Sequence, residues 1–246
     1  MPEAVAGFAI RLICGMGLLL CAMPRKDVAA AFFRIMLLVI LGLAVLFTLT
    51  SPAARWWGIG LALVAFAGSI CWQLERRTAG GAAIGVIFCV SAVQVVFFTR
   101  GTAAGADGGG HWLIPVSALA SATTLGAALT GMLLGHRYLT APGMPLAPLI
   151  WLNAGLGLAA VFRLAVSVTA LVAGFSALTG STYWIWLALR WLAGIFGPMA
   201  ACVMVQRILR YRNTQAATGV LFVAVILTFI GELTADLLQR ALHVPF

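Results

Sequence analysis

Apolar residues run along this chain in long blocks rather than in short alternating stretches. An α-helix needs roughly 20 apolar residues to cross the ~30 Å hydrocarbon core of a bilayer. Eight blocks reach that length, at approximately 4–22, 29–49, 55–73, 78–98, 112–135, 146–174, 182–205 and 214–239. Short clusters of proline, glycine and charge separate them, such as "MPRKD", "LERRTAGG" and "RILRYRNT", which is turn chemistry. The longest connection, 99–111, is too short to hold a domain. The pattern predicts an all-α, polytopic integral membrane helix bundle: one transmembrane domain over 1–246, about eight transmembrane helices and no soluble domain.

Composition narrows the environment. Of the 246 residues 63% are hydrophobic and 9% charged, where a soluble domain carries about a quarter charged residues. Lipid bilayer must therefore be the main solvent. The net charge of +9 does not point to nucleic acid, because no soluble basic domain exists to carry such a surface. It reports orientation instead. Arg25, Lys26, Arg34, Arg76, Arg77, Arg137, Arg207, Arg210 and Arg212 fall on one side, and only Arg55, Arg100 and Arg240 on the other. Cytoplasmic loops collect Lys and Arg, so the first side is expected in the cytoplasm and both termini outside, in a bacterial inner membrane. Trp56, Trp57, Trp112, Trp184 and Trp186 then sit near the outer interface, and Trp72 and Trp151 near the inner one.

Glu3 precedes any positive charge, unlike the basic start of a signal peptide. The five cysteines all lie in apolar blocks without CxxC or His spacing, so they read as packing residues and no metal site is expected. In the fifth block Ser117, Ser121 and Thr124 share a helix face, the pattern of a close small-residue helix contact. Pro198 is a candidate kink in the seventh. Eight helices permit a 4+4 repeat, but the chain shows no self-similarity that would support one.

Three arginines remain once the loops are counted: Arg11, Arg163 and Arg190. Each is inside an apolar block, and the eighth block carries Glu232 and Asp236 four residues apart. A helix rises 1.5 Å per residue. Arg11, Arg190 and Glu232 thus lie roughly 10–12 Å from the outer ends of their helices and Asp236 about 6 Å. Arg163 is near the middle of its helix, and Gln94 of the fourth block is in the same leaflet. A charge at the bilayer centre costs some 2.5–3.5 kcal/mol even on the lenient insertion scale. These groups must face one another, water or another subunit. Arg190 and Glu232, at equal depth on consecutive antiparallel helices, are expected within salt-bridge reach, with Asp236 and one of Arg11 or Arg163 nearby. Trp186 and Trp191 are positioned to stack on the Arg190 guanidinium or on a flat ligand.

A second candidate lies at the inner end of the fifth block. His136, Arg137 and Tyr138 offer hydrogen bonds at headgroup level, as an interfacial anchor or as contacts to a quinone or lipid headgroup. Haem b is not expected: of the three histidines, His136 is on the inner side, and His111 and His243 lie in or beside outer loops. These two are the only pair that the topology lets meet as axial ligands. Arg207, Arg210 and Arg212 suit anionic lipid or an acidic cytoplasmic partner. Phosphate loops, dinucleotide fingerprints, HExxH and nucleophile elbows are all lacking.

The leading expectation is a membrane subunit of a respiratory or photosynthetic electron-transfer complex. It would not be catalytic by itself; it would anchor other membrane subunits and help bind quinone or conduct protons. The rival readings are a small secondary transporter or channel using the outer Arg/Glu/Asp cluster, and a structural assembly protein.

Overall fold

The computed structural model describes residues 2–102, 112–140, 144–175, 178 and 180–242. Among them the regular structure is entirely helical: α1 (Pro2–Ala22), α2 (Ala30–Thr50), α3 (Arg55–Gln73), α4 (Arg77–Thr102), α5 (Leu113–Thr140), α6 (Ala147–Gly174), α7 (Ser181–Trp191), α8 (Gly197–Arg210) and α9 (Thr214–Leu242). All eight predicted blocks are helices long and apolar enough to span a membrane. The seventh, Ser181–Arg210, is built from α7, a five-residue π-turn at Leu192–Phe196, and α8. Pro198, the second residue of α8, lacks an N–H and its ring crowds the carbonyl four residues back. The looser π register lies directly before it, so the strain is absorbed without breaking the span.

Helices α5 and α8 run about five residues beyond the apolar blocks that predicted them. The added "HRYLT" and "QRILR" are richer in polar groups than the blocks they extend, so apolar length alone did not mark them as helix. The turn after α3 closes with Glu75 at φ 55. Arg76 N–H bonds Cys71 C=O and Glu75 N–H bonds Trp72 C=O, the paired bonds that satisfy orphan carbonyls at a helix end.

The neighbours repeat. In the first half α1 packs on α2, α2 on α3, α3 on α4, and α4 returns to α1; in the second α5 packs on α6, α6 on α8, α7 and α8 on α9, and α9 returns to α5. The two rings meet along α1 and α5, which run in the same direction. These are the two most enclosed spans, and their small residues explain why. A Cβ on Gly15 would overlap the Ala122 carbonyl, and one on Gly126 would overlap the Gly15 backbone. The helices touch main chain to main chain at mid-depth.

One end of the bundle gathers Arg76, Arg77, Arg137, Arg207 and Arg210; we call it the basic end and its opposite the distal end. Trp56, Trp57, Trp112 and Trp184 are exposed toward the distal end, and Trp151 toward the basic end. Trp72, expected at the inner interface, is instead a core residue: it is 1% exposed and stacked on Phe33 at 4.3 Å with planes 9° apart. Glycine at position 80 leaves the room its indole occupies.

Candidate functional site

Five helices bring polar groups to one level in the distal half. Arg11 and Arg190 stand about 14 Å from the distal ends of α1 and α7, Glu232 about 15 Å from that of α9, and Arg163 about 16 Å from that of α6. The fifth helix, α5, contributes Ser117 and Ser121, one turn apart on the face it turns inward.

Glu232 is the centre, with its side chain 1% exposed. Its Oε1 faces Arg190 Nη1 at 3.3 Å and Arg163 Nε at 3.4 Å. Its Oε2 faces Arg11 Nη1 at 3.6 Å and accepts a hydrogen bond from the Ser121 hydroxyl. One carboxylate thus links two fully enclosed arginines on one oxygen and a half-open arginine on the other. Arg163 is fastened further, its Nη1 donating to the Ser117 carbonyl at 2.9 Å and to the Ser117 hydroxyl oxygen at 2.6 Å. Among the described residues, Arg190 has no hydrogen-bond acceptor for any of its three nitrogens. Charge alone holds it, at a separation longer than the 2.7–3.2 Å of an ordinary N–H···O bond.

Local sequence makes these approaches possible. A Cβ on Gly194 would strike Arg190 Nη1 and the Gly231 main chain. Two glycines therefore let the π-turn and α9 close until Arg190 reaches Glu232. On α1, Arg11 Nε bonds Gly7 C=O at 3.0 Å; glycine there admits the Phe98 ring, which an added Cβ would approach to 3.1 Å. Asp236, one turn beyond Glu232, pairs with Arg11 Nη2 at 3.8 Å and Arg240 Nε at 2.8 Å.

Above this floor lies a cavity of about 290 Å³. Ile10, Val95, Phe98, Ile114, Ala118 and Ala235 supply its apolar wall; Arg11, Ser117, Arg163, Asp236, Gln239 and Arg240 supply donors and acceptors. All these residues belong to the distal half. Below the floor, the α1–α5 contact at Gly15, Ala122 and Gly126 closes the central seam.

Arg190 and Glu232 are thus within ion-pair reach, and both Arg11 and Arg163 join them, not one of the two. Gln94 is buried on α4 and takes part in none of these ion pairs. Trp186 meets Tyr183 edge-on at 5.9 Å, and Trp191 meets Phe196 at 5.9 Å with tilted planes; both rings contact neighbours on their own span. His136, Arg137 and Tyr138 diverge, because consecutive helical residues point about 100° apart. His136 is exposed, Arg137 half-buried, and Tyr138 buried with its hydroxyl donating to Pro145 C=O, which ties α5 to the loop before α6. His111 and His243 lie outside the described residues. Arg207 and Arg210 are exposed on the last turns of α8, and Arg212 follows it at φ 57.

Sequence reasoning missed Ser117 and Ser121 as partners of the charges, and Arg240 as the partner of Asp236. The signal was present: hydroxyls spaced four apart on α5 at the depth of the arginines, and Arg240 four residues after Asp236. Among the described residues, no group of three or more His, Cys, Asp or Glu side chains is placed to hold a metal ion. No protein-family model, curated protein or solved structure matches the chain, so the functional argument rests on this geometry.

Proposed function

We propose that this chain is the integral membrane subunit of a multi-subunit electron-transfer complex, and that the distal cavity takes the ring of a quinone. The observation that carries the reading is the cavity's one-sided chemistry. It lies in the distal half, joins an apolar wall to a floor of Arg11 and Asp236, and has the close α1–α5 contact beneath it. A quinone carbonyl is an acceptor that Arg11 can satisfy, and a quinol hydroxyl is a donor that Asp236 can satisfy. Phe98 and Ile10 offer the flat ring an apolar bed. Ligand sites of this kind pair mostly apolar walls with few polar groups. With the basic loops in the cytoplasm, as their charge bias favours, the site would face the outer side of a bacterial inner membrane. In this reading partner subunits supply the redox centres.

A second reading is favoured by a different observation: three arginines share one buried carboxylate. That excess of positive charge suits a small anion, and with it a secondary transporter. The two separate in one experiment. The chain is purified in mild detergent, co-purifying proteins are identified by mass spectrometry, and bound lipid is extracted. The electron-transfer reading expects redox subunits and about one quinone per chain. A chain that purifies alone, without quinone, and takes up no decylubiquinone overturns it.

A further inference from the structure

The two acids of α9 stand one turn apart, yet only one is placed to exchange a proton with a ligand. Glu232 is enclosed by three arginines and the Ser121 hydroxyl, and it does not line the cavity. Asp236 does line it, with its side chain 23% exposed. From α1 the cavity brings Arg11 and Glu3 toward Asp236, from α5 Ser117, from α6 Arg163, and from α9 itself Gln239 and Arg240. Arg190 of α7 reaches Glu232 instead. Of the two acids on α9, Asp236 alone therefore has both a face in the cavity and a partly exposed side chain.

We propose that Asp236 is the proton-accepting group of this cavity, and that Glu232 stays ionised as the fixed counter-charge of its floor. The proposal rests on the quinone reading. A quinol bound there gives a hydroxyl proton to a carboxylate oxygen of Asp236, which becomes a carboxylic acid and passes the proton out through the mouth. Repeating this removes the second proton, while the two electrons leave singly to a one-electron metal centre on a partner subunit. The quinol becomes quinone and two protons are released on the distal side. Arg11, paired at 3.6 and 3.8 Å with both acids, is free to turn toward the carbonyl oxygen as Asp236 is neutralised.

The test is a time-resolved infrared difference spectrum of the purified protein with its native partners, loaded with decylubiquinol and oxidised electrochemically. Oxidation should raise a transient protonated-carboxyl C=O band that decays as the proton leaves, is absent in Asp236→Asn and is displaced in frequency in Asp236→Glu. A band that persists unchanged in Asp236→Asn, or that Asp236→Glu leaves in place, overturns the assignment while the quinone reading stands. Failure of the native protein to bind decylubiquinone saturably overturns both. If Asp236→Asn does not assemble, Asp236→Glu keeps the acid and still decides by its band position.

Discussion

Glu232 and Asp236 share one face of α9, four residues apart, and live in opposite surroundings. Glu232 is sealed among arginines, whereas Asp236 forms part of a cavity wall. Among the described residues, Arg11 is the one cation ion-paired with both. This asymmetry separates the structural part of the cluster from its ligand-facing part, and it sets the order in which substitutions should hurt.

Glu232→Gln should be the most damaging change in the cluster. It leaves Arg11, Arg163 and Arg190 facing each other without a shared counter-charge. Breaking a buried pair costs about 3–5 kcal/mol. Arg190→Gln removes one repelling charge along with the pair, so Glu232→Gln combined with Arg190→Gln should be less destabilised than Glu232→Gln alone. Detergent thermal-stability profiles of the three variants measure the coupling. Strictly additive losses would show that Arg190 and Glu232 do not interact.

Gly126→Leu should disrupt the bundle without touching any charge. Its side chain would occupy the space of the Gly15 main chain, and overpacking typically costs about 1–3 kcal/mol, occasionally more. Here the obstacle is backbone, so the upper end is expected. Gly85, whose added Cβ meets nothing within 4 Å, is the control: Gly85→Leu should be tolerated. Equal yields of folded protein from the two variants would refute the α1–α5 contact.

The helices were legible because lipid imposes a minimum apolar length, and depth was legible because the helical rise is fixed. Those two facts alone place Arg11, Arg163, Arg190 and Glu232 at one level. Depth does not give direction around the helix axis. Gln94 has the right depth and stays out of the ion pairs, and His136, Arg137 and Tyr138 are adjacent yet point apart. Hydroxyls were harder still: Ser117 and Ser121 pack like alanine and bond like water, so the same spacing suits a plain helix contact and an arginine ligand. The π-turn had a proline to announce it, but its register depends on how closely Gly194 meets Gly231, a tertiary fact. The matching four-helix rings left no visible repeat, because packing order constrains size and apolarity more than identity.

Orientation yields a prediction independent of the cluster. From the nine-to-three bias of basic residues the basic end is expected in the cytoplasm. Alkaline phosphatase fused after Phe246 should be active in a bacterial host, and fused after Arg212 it should be inactive. The reverse pattern would turn the bundle over and place the cavity on the cytoplasmic side.

Arg163 and Arg11 face the same carboxylate, but their loss should not be equal. Arg163 is 2% exposed and donates two bonds of 2.6 and 2.9 Å to Ser117. Hydrogen bonds to charged groups contribute about 1.5–3 kcal/mol, and Arg163→Met would leave the Ser117 carbonyl and hydroxyl buried. Relief of repulsion from the other two arginines offsets part of that loss, so about 2 kcal/mol of net destabilisation is expected. Arg11 is 16% exposed, its contacts to the acids are 3.6 and 3.8 Å, and its bond to Ser121 is 3.4 Å. These contacts are longer than those of Arg163, and the 3.0 Å bond of Arg11 to Gly7 C=O lies within its own helix, so Arg11→Met should cost clearly less stability than Arg163→Met. Its cost should fall on the cavity instead, as a loss of at least about tenfold in affinity for decylubiquinone. Paired measurements of thermal stability and quinone binding on the two variants decide the matter. An Arg11→Met protein that unfolds as readily as Arg163→Met, or that binds decylubiquinone as tightly as the native chain, would remove Arg11 from the ligand-facing role.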